Sequence, residues 1–219
     1  IFPDGRLMLY DPDVLSGVGD PPRTSNQLVK VWADDMGFVL DQLAAWNESK
    51  NHPFTSALDL SKVGVFGHST GGGATVEFCG RDPRCDVGVG LDAWVEPVSE
   101  EIVLEGLTQP FLFLRADRWD FADNGRNFDI ADVLWSDSQS TGYMANIEGA
   151  SHFDFTDIPL LSPMTSQLGI SSTMDGDYVV EMVNRMTSAF FRQELRGEED
   201  NLLLGAMVYP EMSLVGNGR

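Results

Sequence analysis

The chain has 219 residues, 42% of them hydrophobic, enough to bury one sizeable core, and its length favours a single domain over residues 1–219. Acidic residues outnumber basic ones by 34 to 14, and a net charge of −20 repels nucleic acid and anionic membrane surfaces, so neither is expected as a partner. No stretch approaches the ~18 consecutive apolar residues of a membrane span, so stable membrane insertion is not expected, and "IFPDGRLMLYDPD" has no basic segment leading into an apolar one, so it does not read as an intact signal peptide.

In chain order, the first periodic segment follows the Pro-Pro turn at 21 and 22. Leu28, Trp32, Met36, Val39, Leu43 and Trp46 repeat every three or four residues, which predicts an amphipathic helix of about five turns. Three short runs rich in Val, Leu and Phe come next: "KVGVFG" (62 to 67), "VGVGLDAW" (87 to 94) and "PFLFLRA" (110 to 116). Strands that are apolar on both faces belong in a parallel sheet covered on both sides. Crossover helices fit at 70 to 80 and 98 to 106, another in "NFDIADVLW" (127 to 135), and a last strand in "GYMANIEG" (142 to 149). Val179, Val183, Met186 and Phe190 predict a closing helix that ends near Gly197. Alternation of strand and helix means an α/β fold with a mostly parallel sheet and helices on both faces. The two cysteines, Cys79 and Cys85 in "FCGRDPRCD", are close enough for a turn to join them; such a pair suits an exported protein, secreted or periplasmic, and two buried thiols are the other reading.

One stretch carries chemistry. "VGVFGHSTGGGAT" contains Gly67-His68-Ser69-Thr70-Gly71, a G-x-S-x-G directly after a predicted strand and before a predicted helix. That context defines a nucleophile elbow, where the serine sits in a strained turn and glycines are expected at Gly67 and Gly71 to avoid clashes. The helix beyond Ser69 turns its N-terminal N–H groups toward developing negative charge, with Thr70 N–H as one oxyanion donor. The stretch lacks the lysine of a P-loop and the spacing of a dinucleotide fingerprint. The alternative is a plain turn.

A serine hydroxyl needs a base. Of three histidines, His68 neighbours Ser69 on a strand, where successive side chains alternate, so it is not expected to reach the hydroxyl. His52 reads as a surface residue in the loop "KNHPF". His152 in "EGASHFDF" follows the last predicted strand and lies after the serine, in the order Ser, acid, His of α/β-hydrolases, so it is the expected base. For the acid, Asp92 ends "VGVGLDAW", and Asp117, Asp120 and Asp123 follow "PFLFLRA"; all are at the correct edge of the sheet and the residues alone do not choose. Trp94, Trp119, Phe153 and Phe155 flank these elements, and with His68 they are candidates for a substrate pocket, with core packing as the alternative. No group of His, Cys and carboxylates has metal-ligand spacing, and neither a metal nor a cofactor is expected.

"GHSTGGGAT", then "GLDAW", "QPFLFL" and "GASHFDF", resembles the platelet-activating-factor acetylhydrolase and dienelactone-hydrolase-like branch of the α/β-hydrolases, from about Leu58 to Phe155, with a looser echo in "LLSPMTSQLG" and the last helix. The resemblance implies an α/β-hydrolase fold and a calcium-independent serine carboxylic ester hydrolase, without cofactor, acting on small or short-acyl esters or lipids. It implies Asp92 as the acid, because the aspartate of the acetylhydrolases stands in the "LDAW" element. It also implies more strands before the elbow than the 68 residues preceding Ser69 can hold. The expectation is an N-terminally incomplete fold, completed by a preceding segment of the same protein or by a homo-oligomeric partner. Other readings are a polyester-degrading or other lipid esterase, a dienelactone hydrolase, which the serine disfavours because that enzyme usually carries cysteine at the elbow, and a non-catalytic binding module on the same fold.

Overall fold

A computed structural model of the chain describes residues 5, 7, 22–117, 119, 125–203 and 209–218. The first helix, α1 (Pro22–Glu48), is present, longer than the stripe suggested. Its buried side is not that stripe: Val29 and Ala33 are buried, whereas Trp32, Val39 and Trp46 are 42%, 52% and 41% exposed. Small residues decide which face packs. Ala33 is buried in one core with Val76 and Phe78 of α2 (Thr70–Arg81), and a Cβ on Gly37 would meet Arg84 Nη2 at 3.4 Å and the Phe78 ring at 3.9 Å, so the two helices meet where side chains are shortest.

Five strands form the sheet in the order β1 (Gly64–His68), β2 (Val87–Leu91), β3 (Phe111–Ala116), β4 (Gly142–Ile147) and β5 (Met212–Gly216). The first four are parallel, and β5 pairs antiparallel with β4. Each predicted strand is found, while β5 went unread because it is partly exposed, without the apolar run that marks the central strands. Alternation sorts the strand residues into two cores. Leu112, Leu114 and Ala116 of β3, with Ala145 and Ile147 of β4, face Met182, Val183, Met186 and Phe190 of the closing helix α7 (Gly176–Arg196). Phe111, Phe113 and Met144 face the opposite layer, with α2, Ile102 of α3 (Glu100–Glu105), and Ala131 and Leu134 of α4 (Gly125–Ser136). β2 and β3 are covered on both sides, as their apolar sequences require, whereas β1, expected to be covered in the same way, lies at the edge of the five described strands and leaves Phe66 59% exposed.

Asp175 caps α7 by accepting from Tyr178 N–H at 3.0 Å, and Gly197, in the left-handed region, ends it at the expected position. Cys79 of α2 and Cys85 before β2 form a disulfide, with Cα atoms 5.0 Å apart. Between β4 and α7 lie a 3₁₀ turn (His152–Phe155) and two short helices, α5 (Ile158–Leu161) and α6 (Met164–Gln167). Among the described residues no helix is long and apolar enough to cross a membrane.

Candidate active site

Parallel pairing brings the C-terminal ends of β1 to β4 to one edge, and His68 stands opposite Leu91 in the register. The next residues, Ser69 and Asp92, therefore leave neighbouring strands side by side. Both have positive φ, 56° and 42°, a conformation that costs a non-glycine residue about 1–3 kcal/mol and persists only when its surroundings fix it. Here they do. Ser69 N–H donates to the Leu91 carbonyl at 3.1 Å, and the Ser69 carbonyl accepts from Gly73 N–H at 3.1 Å and Trp94 N–H at 2.8 Å. Asp92 N–H donates to the Leu114 carbonyl at 2.7 Å.

The turn depends on close approach. A Cβ on Gly67 would lie 2.3 Å from the Gly71 carbonyl group, and one on Gly73 would lie 2.2 Å from the Trp94 carbonyl oxygen. Gly71 is different from expectation: a Cβ there would meet nothing nearer than the Trp32 ring at 4.0 Å. The clash at this end of the motif is that of a Gly67 side chain with the Gly71 backbone, so it is Gly67 that must lack the Cβ. The N–H of Thr70 lies in the first turn of α2, where the helix itself supplies no acceptor.

The carboxylate of Asp92 is 2% exposed and is met by three donors. Ala116 N–H donates to Oδ1 at 3.0 Å, while Trp119 Nε1–H and His152 Nδ1 both reach Oδ2 at 2.6 Å. A carboxylate oxygen accepts, so this hydrogen bond assigns a proton to His152 Nδ1. His152 itself is 4% exposed. Its loop is pinned by Asp154, which accepts from Ser151 N–H at 2.8 Å and from Ser172 N–H at 3.1 Å.

His68 is nearer the centre than strand alternation suggested. Its Nε2–H donates to the His152 carbonyl at 2.9 Å, and the two rings are 4.4 Å apart. This bond ties the His152 loop to the residue before Ser69. Burial, helped by the neighbouring His152, holds the His68 imidazole down to about 4, so it is neutral near pH 7.

The other candidates divide. Asp117 does not meet an imidazole: it accepts from Gly149 N–H at 2.7 Å, on the turn before His152. Asp120 and Asp123 lie outside the described residues. Phe155 is a core residue packed with α7 rather than a pocket lining. The Phe153 ring stands 5.4 Å from His152, edge to face, and Trp94 is half-buried with its N–H on Ser69. His52 stacks on Trp46 at the end of α1, centroids 4.9 Å apart. One residue escaped notice: Asn127 of α4 is buried, accepts from Val95 N–H at 2.7 Å and donates to the Ala93 carbonyl at 2.9 Å, holding the loop after Asp92. An amide in the apolar run "NFDIADVLW" was the available signal, since a buried amide must find partners.

The family model of platelet-activating factor acetylhydrolase, isoform II, matches residues 38–205. The platelet-activating factor acetylhydrolase of Gallus gallus is 27% identical over 165 residues, covering 74% of this chain and 37% of its own length. That of Cavia porcellus is 25% identical over 141 residues, covering 64% and 31%. The chain thus spans about a third of the relatives it matches. Among solved structures, a ferulic acid esterase from Streptomyces cinnamoneus superposes with a TM-score of 0.74 and 24% identity over 98% of this chain and 61% of that one, and its likeness places the chain in the α/β-hydrolase fold.

Proposed function

The chain belongs to the platelet-activating factor acetylhydrolase, isoform II, family, and on that premise we propose that it is a serine ester hydrolase that removes a short acyl group, such as acetyl, from a lipid. The observation that carries this reading is the buried Asp92–His152 pair, 2.6 Å between Oδ2 and Nδ1, tied through His68 to the elbow.

In this reaction Ser69 Oγ attacks the ester carbonyl carbon while His152 Nε2 takes its proton. Asp92 keeps Nδ1 protonated and stabilises the imidazolium that forms. The carbonyl oxygen becomes an oxyanion near Thr70 N–H at the start of α2. The carbon–oxygen bond to the alcohol breaks as His152 returns the proton to the departing oxygen, leaving an acyl-Ser69 ester. Water, activated by His152 in the same way, releases the acid and restores the serine. A net charge of −20 suits an uncharged or zwitterionic lipid better than an anionic one.

A panel of p-nitrophenyl esters graded from acetate to palmitate tests both halves of the proposal. Specificity, as kcat/KM, is expected to be highest for the short acyl chains and to vanish in Ser69→Ala. Turnover surviving in Ser69→Ala removes the nucleophile, and specificity that rises with chain length removes the short-acyl assignment.

A further inference from the structure

The side chain of Trp119 touches both members of the Asp92–His152 pair. Its Nε1–H meets Asp92 Oδ2 at 2.6 Å, its ring centroid lies 4.8 Å from that of His152, and the residue is 9% exposed. That leaves little surface for an acyl chain. It stands three residues beyond Ala116, whose N–H takes the other carboxylate oxygen. The end of β3 therefore supplies one donor to each oxygen of the same carboxylate.

We infer that Trp119 is a positioning residue for the reaction proposed above, acting through Asp92 rather than on the substrate. The torsion about the Asp Cβ–Cγ bond is broad and intrinsically soft. One donor on Oδ1 still permits the carboxylate plane to swing, whereas a second donor on Oδ2 fixes it. With the plane fixed, the remaining acceptor direction of Oδ2 points at His152 Nδ1, and the imidazole is held in one orientation and one tautomer. The indole N–H only donates, and a carboxylate oxygen is the acceptor it needs. A buried charge needs such partners, and bonds to it are stronger than neutral ones. The ring also lies against the imidazole and keeps water from the shared oxygen.

The inference rests on the triad assignment, and the test separates the two. Trp119→Phe removes the donor and keeps an aromatic ring; benzothienylalanine at the same position keeps the indole shape and replaces N–H by sulfur, which guards against a packing or folding artefact. Both are expected to lower kcat about 10- to 100-fold with KM and acyl-length preference little changed. In an Asp92→Asn background, Trp119→Phe is expected to cost far less, because its route of action is already lost. Proton NMR of the resting protein gives a readout independent of turnover: the low-field His152 Nδ1–H resonance of the wild type should move or broaden in both variants. Unchanged kcat with altered KM or chain preference would make Trp119 a pocket wall and overturn the inference, as would an unaltered low-field resonance. Absence of ester turnover in the wild type would sink the triad assignment instead, and the resonance would still decide whether Trp119 orders the pair.

Discussion

Where β1, β2 and β3 end, polar groups are buried and engaged: the Asp92 carboxylate meets three donors, and Asn127, Asp154 and the Ser69 backbone hold their loops through further hydrogen bonds. Along α1 and β1 the reverse holds. Phe38, Val39 and Phe66 are 60%, 52% and 59% exposed, although each belongs to a segment that reads as core. A polar residue in the first region has one place it can be, because a buried charge or amide without partners costs several kcal/mol. An apolar residue in the second region loses little by facing water, so hydropathy alone does not settle its orientation. Substitutions should therefore be costly in the first region and nearly silent in the second.

The largest effect is expected for Asp92→Asn, which keeps the shape but leaves His152 without the acceptor that sets its tautomer; kcat for a short-acyl ester should fall about 10³- to 10⁴-fold. An Asn variant within tenfold of wild type would return the role to another carboxylate. Gly73→Ala comes next. Its Cβ must displace the Trp94 carbonyl, which a Cβ would approach to 2.2 Å, so unfolding in urea should show a loss of about 3 kcal/mol. Gly71→Ala, with no neighbour nearer than 4.0 Å, should be neutral or gain about 0.5 kcal/mol through helix propensity. Equal losses at both positions would refute the close-approach account of the elbow.

Acid should weaken the same region. The His68 imidazole titrates near 4 in the folded protein and near 6.5 when unfolded, so between these values the unfolded chain binds more protons. The stability this histidine contributes is complete above about pH 6.5 and is lost as the pH falls toward 4, about 2 to 3 kcal/mol in all. Thermal midpoints measured from pH 7 to 4 should fall less steeply in His68→Gln, whose amide keeps a donor for the His152 carbonyl without the titration. Replacing Cys79 and Cys85 together by serine should cost about 2 kcal/mol, the entropy of the short loop that their disulfide closes. The smallest effect is expected on the exposed flank: Val39→Lys should change stability by no more than about 0.5 kcal/mol.

The same contrast explains what could be read from the sequence. β2 and β3 were legible because central strands must be apolar on both faces, and α7 because its stripe, cap and Gly197 agree. Ser69, Asp92 and His152 could be named as candidates because the G-x-S-x-G pattern, chain order and the "LDAW" resemblance each restrict the choices; of the three, the fold joins Asp92 and His152 directly, at 2.6 Å. The face of α1 was not legible, since its packing is set by Ala33 and Gly37, which carry almost no hydropathy signal. Trp119 and His68 were read only as candidates for a substrate pocket and Asn127 was not singled out, because their partners are distant in sequence and only the fold brings them together.

The central claim is that Ser69 is an activated nucleophile. Intact-mass analysis after incubation with a fluorophosphonate tests it most directly. The account predicts one adduct per chain, located on Ser69 by peptide mapping, absent in Ser69→Ala and formed far more slowly in Asp92→Asn. No adduct on the wild type, or an adduct on another residue, would contradict it.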